Sequence, residues 1–247
     1  SLAVSSLLIL GALCCFGFGV SMALSYGRDD THALDYTFQD EGNPLAIPEK
    51  LKSAGLDNYF ESLFDMRIGH TSSEADDDGG KLGMDEVLEL IEQEPDSSVK
   101  SDLLDEYSNI DYPYIISLSG YNQLLVAAGE QPVTLDNKQA TIYGYDSFIS
   151  KEKKELINHV LSQEPKVVFG GEHLELTGTI QTKNPVTDRA ITLYFALIVP
   201  DEVFDRLAAE SYTHYWDGIL SPQFVEENGL MQAIQQINQK LDTTEDR

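Results

Sequence analysis

The chain has 247 residues and a formal net charge of −26, because 42 acidic side chains face only 16 basic ones. Such an excess of carboxylates repels nucleic-acid phosphates and anionic lipid headgroups, which argues against nucleic-acid binding and against docking on a membrane surface. Hydrophobic residues make up 42% of the chain, which is enough for a buried core and excludes a largely disordered protein.

The first 27 residues carry no charged side chain. Residues 2–24 would form roughly 34 Å of helix, enough to cross a hydrocarbon core of about 30 Å. We therefore predict a transmembrane helix within residues 1–27. Arg28 is followed by two aspartates rather than by a basic cluster, so we expect the acidic body on the extracellular side. A cleaved signal peptide and a buried core helix are the alternatives for this segment.

Residues 28–111 form the N-terminal part of the predicted extracellular domain. Apolar alternation and helix signals predict two strands and three helices there. The strands are expected at 33–38 and 59–68, and the helices at 48–54, 84–93 and 99–107. Residues 71–83 are predicted to be a charged, glycine-rich surface loop.

Residues 112–247 form the C-terminal part and carry stronger signals. The predicted strands are 112–117, 138–143, 166–169, 173–181, 191–199 and 212–220. The predicted helices are 119–128, 150–162, 200–210 and 222–241. Ser119 and Ser150 are suited to cap two of the helices, and Gly170-Gly171 is suited to the turn of a hairpin. Because strands and helices interleave without strict alternation, we predict an α+β fold: a mixed sheet with packed helices, in one domain or two subdomains.

The acidic loop partly matches a calcium-binding EF-hand loop. The matching residues are Glu74, Asp76, Asp78, Gly79 and Asp85. The match fails because the first position is Glu, Lys81 replaces an apolar residue, and the last position lacks the longer Glu side chain. A solvated acidic loop is therefore the preferred interpretation, and calcium is not expected to bind.

Other site patterns are equally weak. The only cysteines, Cys14 and Cys15, lie in the hydrophobic segment, so the body has neither a disulfide nor a thiolate metal site. The histidines at positions 32, 70, 159, 173 and 214 form no close metal-binding pair, and no Gly-x-Ser-x-Gly motif is present. Trp216 with Tyr212 and Tyr215 could form an aromatic platform, although alternate burial along a strand is preferred. We predict no catalytic, cofactor-binding or metal-binding residue, and no cofactor.

Three segments share a pattern with a transporter family. They are Pro113–Leu125 (PYIISLSGYNQLL) followed by Gly129 and 132–135 (PVTL), then 198–202 (IVPDE), and then the Trp216 region with the Gln-rich segment to Leu241. In this order they resemble the extracellular region of FtsX-like ABC transporter permeases. The resemblance is closest to the large Gram-positive permeases of the bacitracin-export and antimicrobial-peptide-resistance type.

The resemblance implies one membrane span with its extracellular domain, belonging to a bacterial cell-membrane protein with further spans. It implies a subunit that is not itself an enzyme, paired with a cytoplasmic ABC ATPase and, in some members, with a sensor kinase. Amphipathic peptides or lipids would be the ligands. Independently of the resemblance, the net charge would attract cationic peptides over about 8 Å at physiological salt, and a role of this charge in solubility is an equal alternative. The alternatives are a membrane-tethered or secreted extracellular binding protein without an ATPase partner and a membrane-anchored hydrolase.

Overall fold

The computed structural model describes residues 18–22, 33–40, 46–70, 81–186, 191, 193–208 and 212–245. Strands and helices alternate irregularly along these residues, so the predicted α+β fold class with a mixed sheet is confirmed. The strands are β1 (Phe18–Met22), β2 (Tyr36–Asp40), β3 (Phe60–Gly69), β4 (Tyr114–Ser117), β5 (Gln139–Gly144), β6 (Lys166–Phe169), β7 (Glu172–Leu176), β8 (Phe195–Val199) and β9 (Tyr212–Leu220). The helices are α1 (Ala46–Ser53), α2 (Asp85–Gln93), α3 (Ser98–Ser108), α4 (Leu118–Ala127), α5 (Lys151–Leu161), α6 (Asp201–Ala208), α7 (Pro222–Asn228) and α8 (Leu230–Glu245).

The chain divides into two compact units, each built from separate segments. The first unit comprises Ser1–Met66, Pro185–Thr192 and Thr213–Arg247, and the second comprises Arg67–Asn184 and Leu193–Tyr212. The chain passes between them four times: inside β3, before Pro185, after Thr192, and at the start of β9. The predicted division into residues 28–111 and 112–247 follows chain order and stays a prediction.

The predicted transmembrane helix falls largely outside the described residues. Within it, Phe18–Met22 is a strand and not helical, because its backbone pairs antiparallel with β2 from Phe18↔Asp40 to Met22↔Tyr36. Among the helices of the described residues, none combines the length and apolar character needed to cross a membrane.

In the first unit, β2 pairs antiparallel with β9, and β9 neighbours β3. Side chains alternate between the two faces of these strands, and one face packs against α1 and α8. Its buried side chains are Tyr36, Phe38, Ile47, Leu51, Leu56, Leu220, Ala233, Ile234 and Ile237. Burial of these apolar groups at about 25 cal/mol per Å² is the main stabilising contribution to this unit.

A single helix was predicted over residues 222–241, and this prediction is wrong. The structure has two helices, α7 and α8, separated by Gly229 with φ 77°. Glycine adopts this left-handed conformation without the steric cost that a Cβ imposes, so it ends α7 and lets the chain change direction.

The second unit holds a mixed sheet in the order β3-β4-β8-β5-β7-β6. Strand β8 is central: it runs parallel to β4 and antiparallel to β5. Helices α2, α3, α5 and α6 cover one face of this sheet. Their buried side chains include Val87, Ile91, Leu103, Tyr107, Ile157, Val160, Leu161, Val203, Phe204 and Leu207.

Candidate functional site

Three aromatic side chains of the second unit form an exposed cluster, here called the aromatic surface: Tyr145, Phe148 and Tyr194. Phe148 is 57% exposed and Tyr194 is 61% exposed, whereas aromatic rings of this size are usually well buried. The Phe148 ring lies 5.1 Å from that of Tyr194 in an edge-on arrangement and 5.4 Å from that of Tyr145. Both contacts fall in the range in which aromatic pairs attract one another.

The ends of β5 and β8 position this surface. Gly144 at the end of β5 pairs with Phe195 at the start of β8, and just beyond this pair the Tyr145 N–H donates to the Tyr194 carbonyl at 3.2 Å. A short 3-10 turn, Asp146–Phe148, then carries the Phe148 ring next to Tyr194. The two strand ends are thereby joined by backbone hydrogen bonds, so the rings stand on a defined scaffold.

Close packing under the turn depends on Gly144. A Cβ at this position would lie 2.1 Å from Cδ1 of Ile149 and 3.1 Å from Cδ1 of Ile180. Glycine therefore leaves room for Ile149, the residue that follows the turn, to fold back over the end of β5. This contact fixes the turn that presents Phe148.

The charges beside the aromatic surface are paired with one another. Asp146 forms an ion pair with Lys154, and Lys151 lies 3.7 Å from Glu155. Lys153 pairs with Glu106 of α3. The lysine-rich start of α5 therefore offsets the local carboxylates, in contrast to the net charge of the whole chain.

In the first unit, a carboxyl group is buried within the sheet. Asp217 on β9 is fully buried, and its Oδ1 accepts a 2.6 Å hydrogen bond from the hydroxyl of Thr37 on β2. Burial raises the pKa of Asp217 well above its usual range; the Thr37 hydrogen bond opposes this shift and the negative charge of Asp65 adds to it. Within the described part of the chain, Oδ2 of Asp217 has no hydrogen-bond partner. Burial therefore favours the protonated, neutral form of this carboxyl group more than it does for an exposed aspartate.

Nearby contacts in the same unit are structural. Asp35 accepts a 2.9 Å hydrogen bond from the Leu220 backbone N–H, which joins the start of β2 to the end of β9. Nδ1 of His214 lies 2.8 Å from Oδ1 of Asp65. His214 and Asp217 stand an odd number of positions apart on β9, so they face opposite sides of the sheet and do not act together.

Several residues singled out in the sequence have structural roles. Ser119 does not cap α4: the helix begins at Leu118 because the chain leaves β4 directly into it, and the Ser119 N–H donates to Asp201 at 3.1 Å. Ser150 does cap α5, since its hydroxyl accepts from the Lys153 N–H at 3.2 Å. Both observations concern helix ends and not chemistry.

Strand alternation separates the side chains of Tyr215 and Trp216, which agrees with the preferred interpretation of alternate burial and not with an aromatic platform. Tyr215 is buried, whereas its neighbour Trp216 points to the opposite face and packs against the core that contains Phe38. In the acidic loop, residues 71–80 lie outside the described residues, and Asp85 begins α2. Among the described residues, no three His, Cys, Asp or Glu side chains are arranged to hold a metal ion.

The sequence analysis missed the aromatic surface. Tyr145 and Phe148 stand near each other in the chain, but Tyr194 belongs to another segment, and only the β5–β8 register brings the three together. The signal that could have drawn attention to Phe148 is its place directly after the polar residues Asp146 and Ser147 and two residues before Ser150, which caps a helix. No family model, curated protein or solved structure matches the chain.

Proposed function

We propose that the chain is the extracellular domain of an FtsX-like ABC transporter permease subunit, preceded by one of its membrane spans. The acidic body would lie outside a bacterial cell membrane. It would not catalyse a reaction; it would couple ATP hydrolysis by a cytoplasmic partner to the export or removal of peptides or lipids. The proposal starts from the resemblance of three segments to this family.

The order of elements over residues 112–144 is the observation that carries the proposal. The chain runs from β4 directly into α4, turns at Gly129 with φ 76°, and continues into β5. The resemblance implies this same succession of strand, helix, Gly-x-x-Pro turn and strand. Asn122 of α4 stabilises the turn segment, since its side chain both accepts from the Val133 N–H and donates to the Val133 carbonyl.

The other two segments support the same assignment. The apolar strand β8 ends at Val199, Pro200 follows it, and α6 begins at Asp201, as the resemblance implies for the Pro-Asp step. Asp201 also accepts from the Ser119 N–H at the start of α4, so two of the resembling segments meet in the second unit. Strand β9, which carries Trp216, is followed by the helical segment that contains the glutamines.

A membrane-tethered or secreted extracellular binding protein without an ATPase is the alternative. The aromatic surface favours this binding-protein alternative, because exposed aromatic clusters mark sites of interaction. Both proposals place the acidic body outside the cell, and only the first requires a nucleotide-binding partner.

Extracellular placement can be tested by labelling intact cells with a membrane-impermeant maleimide. Gln163→Cys introduces a thiol at an exposed position after α5, in a background in which Cys14 and Cys15 are serine. We expect labelling of intact cells, with the serine background unlabelled as the matched control. Labelling that requires cell lysis would contradict both proposals.

A further inference from the structure

The aromatic surface combines exposure with defined positions. Phe148 and Tyr194 are both exposed and their rings meet edge-on, and the hydrogen bond from the Tyr145 N–H to the Tyr194 carbonyl joins the two chain segments that carry them. Aromatic side chains that are held on a defined backbone lose little conformational entropy when they enter an apolar environment. Tyrosine adds a hydroxyl that can remain hydrated while its ring is buried, which is the property that enriches it at membrane interfaces.

The net charge near this surface differs from that of the whole chain. Residues 145–155 contain three lysines (151, 153 and 154) and three acidic residues (146, 152 and 155), and Glu106 of α3 adds a fourth through its pair with Lys153, so the local sum is −1 in a chain of net charge −26. Charges farther away than the Debye length of about 8 Å are largely screened at physiological salt. The repulsion that argues against membrane docking of the whole body therefore does not apply at this surface.

We propose that the aromatic surface docks on the lipid–water interface of a zwitterionic bilayer, with Phe148 and Tyr194 entering the interface. A cationic peptide is the less favoured occupant, because the paired lysines at the start of α5 give it no local attraction. The inference goes beyond the proposed function but rests on its membrane attachment, which keeps a bilayer within reach. Docking would give the second unit a contact with the membrane besides the chain's own span.

The test uses the full chain reconstituted into phosphatidylcholine vesicles that contain a lipid spin-labelled near the headgroup. Phe148→Trp and, separately, Tyr194→Trp place a fluorescent ring on the surface, while Trp216 is the single native tryptophan and a constant background. We expect the lipid-quenched fraction of the emission to rise about twofold over the unsubstituted protein in both variants. Tyr112→Trp, at an equally exposed aromatic outside the surface, is the matched control and should show no rise.

Three results would overturn the inference. The first is the same quenching in the two surface variants as in the unsubstituted protein. The second is quenching only in vesicles of phosphatidylglycerol, which would indicate attraction of the lysines to anionic lipid. The third is an emission shift on adding a lysine–leucine amphipathic peptide in detergent, without quenching by lipid, which would make this a peptide site. Flotation of the vesicles scores attachment of the chain separately: a chain that does not float counts against the proposed function, and a floating chain without quenching at Phe148→Trp and Tyr194→Trp counts against this inference.

Discussion

The hydroxyl of Thr37 donates a 2.6 Å hydrogen bond to Oδ1 of Asp217, and these two residues face each other across the β2–β9 pair. The contact places a fully buried carboxyl group inside the sheet of the first unit. Because burial raises the pKa of Asp217 more than the hydrogen bond lowers it, the folded chain holds a proton that the unfolded chain releases.

Asp217 should make the first unit less stable as pH rises. Below the unfolded pKa of about 4, both states carry the proton and the full contribution to stability is present. Between that pH and the raised native pKa, stability falls by about 1.4 kcal/mol per pH unit from this group alone. Asp217→Asn removes the titration, so the difference in unfolding free energy between variant and parent should change with this slope as the pH rises from the unfolded pKa toward the raised native pKa.

Urea unfolding followed by circular dichroism at several pH values measures this slope. Thr37→Val is the companion variant, since it removes the hydroxyl that donates to the carboxyl group but keeps the titration. A parent and an Asp217→Asn variant with parallel pH profiles would show that Asp217 titrates normally in the folded protein.

Gly218 on β9 lies beneath an aromatic ring of β3. A Cβ at this position would stand 2.5 Å from Cε1 and 2.6 Å from Cδ1 of Phe60, and a ring cannot yield as the end of a flexible side chain can. Gly218→Ala should therefore destabilise the protein by about 1–3 kcal/mol in denaturant unfolding. In a Phe60→Leu background, Gly218→Ala should lower the free energy of unfolding by less. An equal loss of stability in both backgrounds would contradict the close approach of Gly218 to the Phe60 ring.

Two serines distinguish a real helix cap from an apparent one. Ser150→Ala removes the hydroxyl that accepts from Lys153 and should cost about 1 kcal/mol of stability. Ser119→Ala, inside the first turn of α4, should change stability by less than about 0.5 kcal/mol, because alanine is the better helix former. Thermal unfolding of the matched pair measures both, and a larger loss at Ser119 would restore it as the cap.

Trp216 should act as a core residue and not as part of a ligand platform. It lies opposite Phe38 in the β2–β9 register and packs against the core of the first unit. Because its ring is only partly buried, Trp216→Ala should cost about 2–3 kcal/mol, somewhat below the usual loss for a buried tryptophan. Normal thermal stability of this variant would place the ring outside the core.

Local sequence patterns predicted much of the secondary structure. The alternating segment 212–220 coincides with β9, and the Ser150 cap is as predicted, because both depend on neighbours in sequence. Periodicity did not reveal the break at Gly229, since the glutamine-rich segment is equally compatible with one helix or two. Phe18–Met22 was predicted to be helical because it lies in a long uncharged apolar segment. Its pairing with β2 is a contact between separate segments, which local patterns do not reveal.

The buried carboxyl and the aromatic surface were not predictable for the same reason. In the sequence alone, Asp217 resembles an ordinary surface aspartate. Only the β2–β9 register shows that it lies opposite Thr37. Tyr194 reads as one residue of an apolar strand until the β5–β8 register leaves it outside, next to Phe148. Both features arise from strand pairing, which a single sequence specifies only weakly.

Native purification tests most directly the proposal that this chain belongs to a transporter. The full-length protein is extracted from its own membranes in mild detergent, purified through an affinity tag, and its co-purifying proteins are identified and quantified. We predict a nucleotide-binding ABC ATPase in stoichiometric amount. A preparation that is monodisperse, folded and free of any ATPase would contradict the transporter proposal and leave the tethered binding protein as the better account.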